Sequence, residues 1–176
     1  MTSFRYLIVE LRFSEASPED VAIALAPPEC ESDPENFFNA CSIWAGTLFL
    51  EVPRGYSWSK TGVSNRTSKH AENEPGQWLT EQLREFDRIE RVVYNYFYDT
   101  PMSGYFCIYR RSSQGEFVEI EKVDYGQGAS YFDLPRDYIT EPVDYIQSKY
   151  GIHVLSYRDL AYPHSRTWDF EIEQIC

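Results

Sequence analysis

The sequence predicts an α+β fold: a single-domain sandwich of one mainly antiparallel sheet with two or three helices packed on it. Three observations carry that prediction. Segments rich in β-branched and aromatic residues outnumber segments of helical period. Residues 73–99 pass directly from a helix pattern into a strand pattern, and such a unit needs a sheet to pack on. The chain has 176 residues and 43% apolar content, enough for one real core. The domain is taken as 1–176, with an acidic loop insertion at 29–41 and a C-terminal extension at 158–176.

In chain order, residues 4–13 alternate as a strand that is apolar on both faces at its centre, which suits a central position. Ser17, Pro18, Glu19 and Asp20 form a helix start: a capping serine, a proline at the first position, then two acids facing the helix dipole. Val21, Ala22 and Leu25 fill a short helix that Pro27 and Pro28 end. Residues 42–52 read as one strand closed by Pro53, and 55–67 as a weaker third strand. Trp78, Leu79, Leu83, Phe86 and Ile89 then recur at spacings of three and four, predicting a helix from an Asn73 cap through Ile89. Val92, Val93, Tyr94, Tyr96, Phe97 and Tyr98 make the next strand a buried one.

A hairpin follows, 105–111 with 116–123, turning at Ser112 to Gly115. Strict alternation in its second arm directs Val118 and Ile120 inward and sets Phe117, Glu119 and Glu121 together on the other face. Residues 133–151 read as a helix restarting near Thr140 because of Pro142, with Gly151 as its C-terminal cap. Residues 152–157 read as a last core strand, and Trp168, Phe170 and Ile172 alternate with acids as an edge strand.

Three stretches, taken in this order, resemble the bacterial domain-of-unknown-function family numbered 4279. They are VELRFSEASPEDVAIAL, then WSKTGVSNRT leading to QWLTEQLREF, then YIQSKYGIHVLSY. The resemblance spans 4–157 and lies in the order of elements. It departs at the insertion 29–41 and at the hairpin around Gly115. It implies a small α/β sandwich of ferredoxin-like character. It implies no established activity and supplies no catalytic residues.

The chemistry of the sequence excludes more than it names. Twenty-eight acids against sixteen bases give a net charge of −12. That argues against nucleic acid as a direct partner, since phosphate binding needs a basic face. The apolar run near the start is too short for a membrane span, and the reading is a cytoplasmic protein. Cys30, Cys41, Cys107 and Cys176 show no paired spacing. They read as reduced or buried thiols rather than a disulfide framework, and no metal site or cofactor is expected. His70, His153 and His164 belong to no metal or nucleophile motif. A Cys–His pair such as Cys107 with His153 could be adjacent in a sheet, as a nucleophile and its base must be.

What remains is acidic and aromatic. Glu29, Glu31, Asp33 and Glu35 alternate along a polar loop, and Glu119 and Glu121 stand on the hairpin. Fourteen tyrosines, four tryptophans and eleven phenylalanines exceed what a core of this size needs, so some should be exposed, Tyr125 and Tyr131 among the first. Aromatic anchors beside acids suit a protein interface. The expected function is therefore an acidic binding module that neutralises a basic protein partner, such as an immunity or inhibitor protein against a nuclease toxin. The alternative is a small enzyme or ligand-binding module with a cleft beside the sheet.

Overall fold

The computed structural model describes residues 3–26, 37–53, 56–59, 62–65, 75–99, 102–125, 140–155 and 173–174. The elements are β1 (Ser3–Glu10), α1 (Pro18–Leu25), β2 (Ala40–Trp44), β3 (Thr47–Glu51), β4 (Tyr56–Ser59), β5 (Gly62–Asn65), α2 (Pro75–Gln82), β6 (Arg91–Asp99), β7 (Met102–Arg111), β8 (Phe117–Tyr125), α3 (Thr140–Tyr150) and β9 (Glu173–Gln174). This is the expected α+β fold. Its main sheet runs β8-β7-β6-β1-β3-β2-β9 and every pairing in it is antiparallel. β4 and β5 form a separate two-stranded ribbon, so the single weaker strand expected over 55–67 is two strands paired with each other.

β1 sits mid-sheet, which explains a strand apolar on both faces. Leu7 and Val9 point to the side covered by α1 and α2, where they meet Val21, Leu25, Trp78, Leu79 and Leu83. Tyr6 and Ile8 point to the side covered by α3, where they meet Val143 and Ile146. The layers are therefore helix, sheet, helix. Ser17 caps α1 as expected, its Oγ accepting from Asp20 N at 3.4 Å.

Four further expectations are corrected. Residues 42–52 are two strands, not one, because Ala45 (φ 50°) and Gly46 (φ 71°) both turn left-handed and fold the chain into a hairpin. Two consecutive positive φ values define the tight turn that matches strand twist, normally written Asn-Gly, so Ala-Gly hid it. The central helix stops at Gln82 instead of continuing to Ile89. Beyond it the chain proceeds by tight turns, with Phe86 N donating to Leu83 O and Ile89 N to Phe86 O. Leu83 and Ile89 are still buried, so the apolar spacing served the core without serving a helix. Residues 152–155 form no strand, although Ile152, Val154 and Leu155 are buried. Val154 O is taken by Gln147 Nε2 at 2.8 Å, so the segment pads α3 against the sheet. The fourth correction concerns the faces of β8 and belongs to the site.

α3 begins at Thr140, where the restart was expected, and ends at Gly151 (φ 64°), whose N donates to Gln147 O at 2.9 Å. β9 pairs with β2 at Glu173 and Gln174, while Trp168, Phe170 and Ile172 of the expected edge strand lie outside the described residues.

Candidate functional site

β8 is the outermost strand on one side of the sheet, and its two ends are built differently. At the start, Ser112 N donates to Glu116 O at 2.7 Å, and Gly115 (φ 87°) closes the turn. Phe117 turns in and is 3% exposed. Its N–H does not face water: it donates to Thr80 Oγ1 of α2 at 2.8 Å, while Thr80 Oγ1 donates to Gly76 O at 2.7 Å. A Cβ on Gly76 would come within 2.3 Å of Phe117 O, so glycine lets α2 lie directly on the strand.

Midway along β8 the pairing slips. Tyr109 of β7 faces Glu119, but Ile108 faces Glu121, leaving Ile120 as an extra residue. Such a bulge inverts the alternation downstream of it. Glu119 therefore lies on the α1/α2 side with Tyr109, whose hydroxyl donates to Glu119 Oε2 at 3.0 Å. Glu121 lies on the α3 side with Ile108. The expectation that the two acids share a face is wrong for this reason. The inward placement of Val118 and Ile120 is wrong too: Phe117 turns in instead, and they are 45% and 40% exposed.

Glu121 is not a free acid. It accepts from Lys149 Nζ at 2.8 Å, from Tyr145 Oη at 2.6 Å, and from Tyr150 Oη. These bonds, from Lys149 first, hold its carboxyl down to about 2. Glu121 fastens α3 to the strand. The exposed edge is left to Val118 and Ile120 among Glu116, Glu119 and Asp124, all exposed. An open groove of about 320 Å³ borders it, lined by Gln77, Thr80, Glu116, Phe117 and Val118.

Two arginines that the sequence reading passed over organise the surroundings. Arg111 donates to the carbonyls of Leu83, Phe86, Ile89 and Gly115 at 2.9–3.1 Å, satisfying the end of α2 and the turns after it. Its guanidinium also lies 4.5 Å from the Phe117 ring. On the other face Arg91 forks onto buried Glu10 with two bonds of 2.7 Å and donates to Tyr150 O. Arg12 adds a third bond to Glu10 at 3.2 Å. The only sequence signal for either was a charged residue at the rim of an apolar strand.

Nucleophilic chemistry finds no support at Cys107. Burial, with Glu119 nearby, pushes its thiol up to about 12, so the thiolate is scarce at neutral pH. Cys107 belongs to the α1/α2 core, whereas the His153 ring meets Trp44, which packs on the α3 side, at 5.4 Å. The sheet thus separates the two, and the Cys107–His153 pairing is corrected. Cys107 is a free thiol, but Cys41 is disulfide-bonded, contrary to the expectation of reduced cysteines.

Among the described residues no cluster of His, Cys, Asp and Glu could hold a metal, and no helix is long and apolar enough to cross a membrane. Glu29, Glu31, Asp33 and Glu35 lie outside the described residues, as do His70, His164, Tyr131 and the side chain of Tyr125. Comparison of the chain with protein-family models, with curated proteins and with solved structures gave no match.

Proposed function

We propose that this chain is an acidic protein-binding module that neutralises a basic partner, in the manner of an immunity or inhibitor protein against a toxin such as a nuclease. One observation carries the reading. The outer edge of β8 presents two exposed aliphatic side chains, Val118 and Ile120, among the exposed acids Glu116, Glu119 and Asp124. Aliphatic anchors desolvate on contact and slow release, while the surrounding carboxylates draw in a cationic surface and speed encounter. The net charge of −12 extends that attraction beyond the edge. The loop acids Glu29, Glu31, Asp33 and Glu35 would act in the same sense.

The test uses the chain immobilised as bait against a lysate of its source organism. A basic protein should be retained by the parent and lost from a Glu116→Lys/Glu119→Lys variant. With that protein purified, the double reversal should slow association by about tenfold, and added salt should do the same. Reversing Glu29, Glu31, Asp33 and Glu35 separately measures the loop. Equal association rates for the parent and both reversals at low salt would leave the charge serving solubility alone.

A further inference from the structure

The register places Arg5, Tyr96, Tyr105 and Asp124 side by side on β1, β6, β7 and β8, on the α1/α2 side of the sheet. The row holds a cation in an uncommon state. Arg5 is 2% exposed, yet its buried Nε has no hydrogen-bond partner and no carboxylate among the described residues forms an ion pair with it. Its guanidinium lies 5.3 Å from the Tyr96 ring. That ring stacks on Tyr105 at 5.3 Å and 28°, and Lys122 Nζ lies 4.5 Å from the Tyr105 centroid.

The two ends of this stack differ. Lys122 is exposed and pairs with Asp124 at 3.4 Å. Glu119, also on this side, accepts from Tyr109. Among the described residues the contact recorded for the Arg5 guanidinium is the ring face, and its Nε is left unmatched. A cation–π contact returns less than it costs to bury an unpaired charge, and arginine cannot relieve that cost by losing its proton. An anion entering from outside would relieve it. The guanidinium fork matches two oxygens of one planar or tetrahedral oxyanion. Burial holds the Tyr105 hydroxyl protonated, up to about 12, so it remains a donor at neutral pH.

We propose that Arg5, with the half-buried Tyr96–Tyr105 pair as its wall, is an oxyanion-binding site that takes the phosphate or carboxylate group of a small ligand. This site does not depend on the partner proposed for the β8 edge.

The experiment measures the melting temperature of the full chain against rising inorganic phosphate and, in a second arm, acetate, with ionic strength held constant by chloride. At least one anion should raise it along a saturable curve by about 50 mM, as a ligand of the native state must. The two arms tell phosphate from carboxylate. Arg5→Met keeps the volume and removes the buried charge, so it should fold, and its apparent affinity should fall at least tenfold. Arg5→Lys keeps the charge without the fork and should lose as much. A parent that responds saturably to neither anion, or variants that respond as the parent does, would overturn the site.

Discussion

The two faces of the sheet are held by different means. On one, α1 and α2 cover a broad apolar field in which Leu7, Val9, Leu48, Leu50, Leu79 and Leu83 are all buried. Polar groups there complete backbone ends: Arg111 collects four carbonyls and Thr80 closes the Phe117 N–H. On the other face, among the described residues, α3 is the helix that covers a smaller field. It is fastened by charge, with Arg91 reaching the Tyr150 carbonyl from Glu10, and Glu121 gripping Lys149, Tyr145 and Tyr150. The contrast shows how apolar area sets the role of polar groups. A wide field leaves them to satisfy what burial strands, while a narrow one gives them the docking itself.

The sharpest way to break the comparison is Arg91→Met. It leaves the buried carboxylate of Glu10 with the longer Arg12 bond alone and frees the end of α3, so unfolding free energy should drop by about 3 kcal/mol in urea titration. The double variant Glu10→Leu/Arg91→Met should recover most of that, since an apolar pair leaves no orphaned charge. Recovery would show that α3 needs a matched pair there, not charge as such.

Arg111→Ala is the counterpart on the other face. Leu83 O and Phe86 O keep their turn bonds from Phe86 N and Ile89 N, so the loss falls mainly on the Ile89 and Gly115 carbonyls. At about 1–3 kcal/mol for each carbonyl left unpaired, a total of about 3 kcal/mol is expected by the same titration. Hydrogen exchange should locate the loss at residues 83–89. Gly76→Ala should cost about 1–3 kcal/mol, because the added methyl meets the Phe117 carbonyl and backbone cannot step aside as a side chain can.

The smallest effect is expected from Glu121→Gln, and its signature is pH dependence. The folded carboxyl is depressed from 4.5 to about 2. The stability it contributes is therefore fully present above about 4.5 and is lost as the pH falls through about 2. Over that window the parent should lose stability that the glutamine variant never had, so their urea midpoints should converge in acid. Parallel curves would mean that the Lys149 and tyrosine contacts are too well solvated to matter.

Much of the fold was legible because its signals are local. Ser17-Pro18-Glu19-Asp20 starts a helix by side-chain chemistry alone, and the two-sided apolar centre of β1 states that the strand is covered twice. The site was less legible because its signals are not local. Arg91 and Glu10 lie far apart in sequence, and nothing in either neighbourhood announces the pair. The run from Trp78 to Ile89 keeps helical spacing although its second half is turns, because Arg111, from another strand, satisfies the carbonyls that a longer helix would have used. The faces of Glu119 and Glu121 were misread because strict alternation assumes an unbroken ladder.

Ile120 thus works as a frame shift within the strand. Upstream of it β8 keeps time with α2; downstream it keeps time with α3. One strand answers two helices on opposite sides because a single residue is counted out of step. Deleting it would give an unbroken ladder in which Glu119 still meets Tyr109 and Glu121 still meets Ile108, each on the face it has now. The same kink spoils the straight row of donors and acceptors that another strand would need, so the outermost strand can display aliphatic side chains to water without inviting a copy of itself to extend the sheet.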